Sequence, residues 1–380
     1  MFVSSPDHIA SYYAASCLDV QLQRPCLQET LEVDVAIIGA GFTGLYTALR
    51  LAAAGKSVAL IEASRVGWGA SGRNGGQIIP GFSCDMPPFE AALGLDGARQ
   101  VWRLVQEAAT EIRQRVADHQ IECDLTPGHL WAAVLPRRVK ILTDWQQEAA
   151  VKWGYSQLEF IPKSELPGHI GSGRYQAALL DRQGGHLHPL KYVCGLARAA
   201  EAMGVRIFEN TKAISYTSAN KAGSDGITVN TAQGQIKAGK LVLACNAYID
   251  SLDQRLQGKI LPVGSYMIAT EALPENLARQ LLPGNHAVSD NQFVLDYFRL
   301  SHDHRLLFGG KCSYTGRTPR NLREGLRQDM LKVFPQLAKA RIDFTWRKQG
   351  HQRKQGLVLN SENRVRSCAS VSIKPIHHFA

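Results

Sequence analysis

Apolar residues first gather in the run Val33 to Ile38, broken only by Asp34, which leads into Gly39-Ala40-Gly41-Phe42-Thr43-Gly44. A short apolar run ending in glycine predicts a strand that enters a tight turn. The period then changes: Leu45, Ala48, Leu49 and Ala52 recur at helical spacing, and Gly55 marks the helix end. A second apolar strand, Ser57 to Ile61, closes on Glu62. Together these form a βαβ unit of about thirty residues.

Further along, Gly94 to Ala117 predicts a helix with Val101, Leu104, Val105, Ala108, Ile112 and Val116 on its core face. Cys123 to Val134 reads as turns and strands, and Arg138 to Trp153 as a helix. Pro189 starts another helix, and the turn before it accounts for His186 and His188 without a metal. Strands follow at 205–208, 226–231, 235–238, 240–244 and 261–270, and a hairpin over 293–300 and 305–310. A helix at 322–331 precedes a last strand entered at Arg341 to Trp346.

The glycine turn between strand and helix points to a dinucleotide site. Gly39 permits the sharp turn, Gly41 lets backbone approach a pyrophosphate, and Gly44 lets the helix sit close on the strand. The unpaired N–H groups at the helix start favour phosphate. Glu62, eighteen residues after Gly44, suits a ribose 2′-hydroxyl and would repel a 2′-phosphate. Five glycines lie between Gly67 and Gln77, among Trp68, Arg73 and Asn74, which suggests a loop pressed against a flat polar ligand.

With 45% hydrophobic and 20% charged residues, the 380-residue chain is globular, and two domains are expected. No transmembrane run or signal peptide is evident. Eight scattered cysteines without a CxxC pair suggest reduced thiols in a cytoplasm, and no metal site is expected. Of the net charge of +10, the segment from Arg347 to Ala380 carries +6, so no basic stripe for nucleic acid runs through the body.

The motif GAGFTGL, followed by Glu62-Ala63-Ser64-Arg65 and Ser71-Gly72-Arg73-Asn74-Gly75-Gly76-Gln77, resembles the FAD-dependent D-amino-acid oxidase and glycine oxidase superfamily. Within it the γ-glutamylputrescine oxidoreductase group is nearest, and Ser11 to Ser16 is similar to that group's amino terminus. The resemblance implies an α/β fold: a Rossmann-like, glutathione-reductase-type FAD-binding domain with an inserted antiparallel-sheet substrate domain. The expected division is an N-terminal extension (1–30), a discontinuous FAD-binding domain (31–90 and 183–260), a substrate domain (91–182 and 261–320), a return to the FAD domain (321–346) and a tail (347–380).

The resemblance also implies oxidation of an amine C–N bond by FAD, with oxygen as the acceptor and no nucleophile or metal demanded. FAD would meet Gly39, Gly41, Phe42, Thr43, Gly44, Glu62, Ala63 and the run Ser71 to Gln77. Ala213 would lend backbone to the adenine, and Ala244 to Asn246 would line the nucleotide half. On the hairpin, Tyr297 would close over the amine and Arg299 would meet a substrate carboxylate; otherwise both decorate a sheet edge.

In the family a Gly-Gly pair follows the tryptophan matching Trp346, and then a strand and a last helix facing the flavin. Here Arg347 to Gly356 is polar and without period. A changed reading frame accounts for this, and a genuine basic tail is the other account. Without that helix, weak FAD retention and low activity are expected. A non-catalytic nucleotide-binding descendant of such an enzyme is the alternative.

Overall fold

The computed structural model describes residues 7–82, 85–218, 226–257, 259–314 and 318–353. The rest of the expected tail, 354–380, lies outside the described residues. Strands are numbered β1 to β15 and helices α1 to α8 along the chain.

Six strands make the first sheet: β1 (Thr30–Ile38), β2 (Val58–Ile61), β7 (Arg206–Phe208), β8 (Ser215–Ser218), β9 (Ile227–Asn230) and β10 (Gln235–Leu243), in the order β7-β2-β1-β10-β9-β8. The first four in that order are parallel. All of β2, and β1 from Val35 to Ile38, are buried, the signature of strands covered on both faces. Helix α2 (Phe42–Ala53) links β1 to β2 and packs beside α5 (Pro189–Ala202), with the Phe42 and Tyr192 rings 5.7 Å apart. β10 is one strand where two were expected. Its Ala238 and Lys240 stay in register with Val33 and Val35 of β1, so Gly239 does not break it.

The second sheet holds nine strands: β3 (Gln77–Ile78), β4 (Thr126–Ala133), β5 (Leu158–Pro162), β6 (Ala177–His186), β11 (Ile260–Thr270), β12 (Ala287–Asp290), β13 (Tyr297–Leu300), β14 (Leu306–Ser313) and β15 (Ile342–Arg353). It is antiparallel except at β4 and β12, which run parallel, a departure from the expected antiparallel sheet. The 293–310 hairpin forms as β13 and β14. Its first arm is shorter than expected, since Phe293 and Val294 are exposed ahead of β13. β15 pairs along β11 as far as Arg353 with Ile260, so the strand continues past Trp346.

The remaining helices are α1 (Tyr12–Ala15), α3 (Pro87–Asp118), α4 (Val139–Trp153), α6 (Gln254–Gln257), α7 (Glu275–Leu281) and α8 (Leu322–Val333). α3 starts earlier than expected and is interrupted at Gly94, whose φ of 70° lies outside the helical range. It buries Ala98, Trp102, Val105, Ala109 and Ile112, whereas Leu104, expected on the core face, is 60% exposed. Trp102 decides the rotation: its indole packs on Tyr155, and Leu104 lies most of half a turn away.

The second sheet encloses a pair of carboxylates. Asp296 N–H donates to Asp290 Oδ1 (3.1 Å), and burial, with Asp290 and Asp329 nearby, pushes the Asp296 carboxyl up to about 7. A folded-state acid held protonated contributes stability that is complete below the unfolded value of 3.8 and lost as pH rises through 7. Asp296→Asn removes this term. Denaturant unfolding should show wild type losing stability relative to the variant between pH 4 and pH 7, and parallel profiles would contradict the assignment.

Candidate functional site: the carboxyl edge of the parallel strands

At the end of β1, Gly39 adopts φ +111°, and a Cβ there would lie 2.6 Å from Ala244 O beyond β10. A Cβ on Gly44 would lie 1.9 Å from Gly39 O, so α2 packs against its own entry turn. At the second glycine of the turn, a Cβ on Gly41 would meet Ser71 Oγ at 2.8 Å. That hydroxyl accepts from Phe42 N–H (3.0 Å) and so caps α2 from the glycine-rich loop. Thr43 follows in the first turn, and the Phe42 side chain packs away on Tyr192.

Glu62 ends β2. Its carboxylate accepts from Ala40 N–H (2.9 Å) and Ser64 N–H (3.0 Å), which ties it to the glycine turn. Burial raises its pKa while these donors oppose the rise, and lone pairs remain for hydroxyl donors. Behind it is a group the sequence reading missed. Glu209, 2% exposed, accepts from Val66 N–H and pairs with Arg65 (2.8 Å) and Arg24 (3.5 Å). Ala63 is exposed, Ala213 is buried beyond β7, and Asn246 holds φ 53° after Ala244.

The run from Gly72 to Gln77 is buried. Asn74 bonds within the loop, to Gly76 N–H (2.8 Å), Ala70 O and Ser71 O, and Gln77 Nε2 donates to Val288 O (2.9 Å). These two amides therefore hold the loop's shape. Ser289 donates to Gln77 Oε1 and contacts His129 Nε2 at 3.0 Å, a buried chain with no sequence signature. Arg73 is different. Its guanidinium stacks 4.1 Å from the Trp68 ring centroid, and its Nε and Nη2 are buried without a hydrogen-bond partner among the described residues.

The hairpin reaches this loop. The Tyr297 ring lies against Gly75 and Gly309, and its hydroxyl is 3.1 Å from Ser265 Oγ. Burial pushes the phenol up to about 12, so it stays protonated near neutral pH. Arg299 was expected to meet a substrate carboxylate. Instead it is 3% exposed and donates to Gly75 O (2.8 Å), Leu187 O (3.0 Å), Leu300 O (3.1 Å) and Tyr13 Oη (3.1 Å). Main-chain carbonyls that no solvent reaches need a donor, and this arginine supplies three of them. His188 caps α5 by accepting from Lys191 N–H (3.1 Å), which accords with the turn reading, and His186 bonds Asn285 O (2.8 Å).

A family model described as FAD dependent oxidoreductase, DAO, matches residues 34–351. The chain belongs to this family of FAD-dependent oxidoreductases. It is 39% identical over 341 residues to the γ-glutamylputrescine oxidoreductase of Escherichia coli K12, covering 90% of this chain and 78% of the relative. A probable oxidoreductase, OrdL, of Haemophilus influenzae is 38% identical over 344 residues, with the same coverage of 90% and 78%. Among solved structures, glycine oxidase from Geobacillus kaustophilus superposes with TM-score 0.69 at 22% identity, over 86% of this chain and 85% of that one.

The chain is thus an FAD-dependent amine oxidoreductase with a Rossmann-like FAD domain and a second, largely antiparallel sheet. The site's chemistry fits the cofactor: a glycine turn that a Cβ would fill, a helix start, a carboxylate with spare lone pairs, and two guanidinium nitrogens with no partner among the described residues.

Arg73→Met should raise the FAD dissociation constant about 10- to 100-fold, the effect of losing one charged hydrogen bond of about 1.5–3 kcal/mol. Flavin fluorescence titration measures it. Arg299→Met should lower unfolding stability and FAD retention together, since three carbonyls lose their donor. A pure rise in KM at unchanged stability would restore the carboxylate reading.

Proposed function

We propose that the chain oxidises the C–N bond of γ-glutamylputrescine or a related primary or secondary amine in a cytoplasm, passing electrons to oxygen. The observation that carries the reading is Arg73, whose buried Nε and Nη2 have no hydrogen-bond partner among the described residues and sit within a loop braced by two strands of the second sheet. The identity to a γ-glutamylputrescine oxidoreductase supports the substrate class. Six described cysteines form no disulfide, and no helix among the described residues is long and apolar enough to cross a membrane.

In this reading, the Gly39 to Gly44 turn and the α2 start hold the pyrophosphate and Glu62 the ribose hydroxyls. Ala213, Ala244 and Asn246 border the nucleotide, and Arg73 donates to the cofactor. FAD, when bound, would supply the two-electron acceptor for the hydride leaving the amine carbon. Tyr297, protonated at working pH, orients the amine by donating a hydrogen bond and does not act as a base. Residues 31–90 and 183–260 form the FAD unit, and 91–182 and 261–320 the substrate unit. β3 crosses this division, since Gln77 and Ile78 pair with β6.

Protein reconstituted with excess FAD should show an oxidised-flavin visible spectrum that bleaches when γ-glutamylputrescine is added without oxygen, and should release peroxide when air is admitted. A flavin-loaded protein that does not bleach with any of a panel of amines and amino acids would favour the non-catalytic nucleotide-binding alternative.

A further inference from the structure

Away from the FAD edge, the segment preceding β1 meets α5 at three groups with metal-ligand chemistry. Cys17 follows α1, Asp19 lies in the 3-10 turn Leu18–Gln21, and Cys194 lies in the second turn of α5. The two sulfurs and a carboxylate oxygen of Asp19 all lie within 4.8 Å of one another. The cysteines are 3% and 4% exposed, while Asp19 reaches partly into solvent.

We propose that Cys17, Cys194 and Asp19 form a binding site for a divalent thiophilic cation of the zinc type. Two thiolates and a carboxylate are three of the four ligands of a tetrahedral zinc site, and the open side at Asp19 admits water as the fourth. A carboxylate in the set favours a divalent ion over the monovalent copper that two thiolates alone would take. The charge balances: the three ligands with a divalent ion leave one negative charge, and Arg198, one turn beyond Cys194, pairs with Asp19. Arg24 also lies near Cys194, but its charge is engaged by Glu201 (2.6 Å) and Glu209 (3.5 Å).

The Cys194 side chain is hydrogen-bonded to that of Cys17, which already holds the two sulfurs side by side. Cysteine binds such an ion as the thiolate, so binding releases thiol protons and affinity falls as pH falls. The bound ion would link residue 17 to residue 194 and add to stability in proportion to the logarithm of its concentration.

The test uses the full chain, stripped by chelator and titrated with Zn2+ in a calorimeter, with Cd2+ as the optical probe. The expected result is one equivalent bound, a raised Tm, a thiolate-to-cadmium absorption band, and the stated pH dependence. Cys17→Ala and Cys194→Ala should each abolish the band, and Asp19→Asn should weaken binding while retaining it. In wild type, Zn2+ should protect two thiols from a thiol reagent, a readout that stands even if an alanine variant fails to fold. No saturable binding, no protection, or binding unchanged in a folded cysteine variant would overturn the proposal.

Discussion

Arg73, Gly75 and Gly76 turn their main-chain carbonyls into protein, where each must find a donor. Trp346 Nε1 meets Arg73 O at 3.0 Å, Arg299 Nε meets Gly75 O at 2.8 Å, and Leu187 N–H meets Gly76 O at 2.8 Å. The donors come from β15 and β13 of the second sheet and from the junction between β6 and α5, so the loop is fixed only when that sheet and α5 are assembled. A buried carbonyl left without its donor costs about 1–3 kcal/mol. That penalty makes the loop's shape a property of the whole fold, and its glycines follow: a Cβ on Gly76 would sit 2.1 Å from Leu187 O.

The amino-terminal segment belongs to the same device. Tyr13, fully buried, accepts from Arg299 and packs its ring against Trp346 (5.3 Å) and His188 (4.9 Å), so one side chain touches two of the loop's braces and the cap of α5. Tyr12 donates to Asp303 (2.6 Å) in the turn between β13 and β14, and Asp7 O receives the Trp68 indole N–H (2.9 Å). Residues 7 to 17 therefore pack as a strap across the hairpin and the glycine loop, with Tyr12, Tyr13 and Cys17 in the core.

What could be read from the sequence was what chemistry encodes locally. The β1-α2-β2 unit, the glycine turn and the acid at 62 follow from period and spacing, because each contact lies within about thirty residues. The face of α3 was misjudged because the winning contact, Trp102 on Tyr155, comes from another helix's end. The break at Gly239 did not occur because a neighbouring strand already supplied the register. Glu209 with Arg24 and Arg65, and Tyr13 with Arg299, join residues far apart in the chain, and no periodicity marks such pairs.

Arg73 and Arg299 show why residue type alone could not assign the site. Both are buried arginines beside the same loop, and taking a guanidinium from water is costly unless its donors are met. Arg299 meets four oxygens of the protein, so its burial is already offset and further binding would have to displace those bonds. Arg73 has an aromatic face for its charge but no acceptor among the described residues for Nε or Nη2, and desolvation lowers its pKa. An acceptor-rich ligand arriving there would recover those hydrogen bonds at little cost in ordering, because stacking on Trp68 has already fixed the guanidinium. The charge expected at a substrate is engaged by the protein's own oxygens, and the one within the glycine run keeps two nitrogens without an acceptor among the described residues.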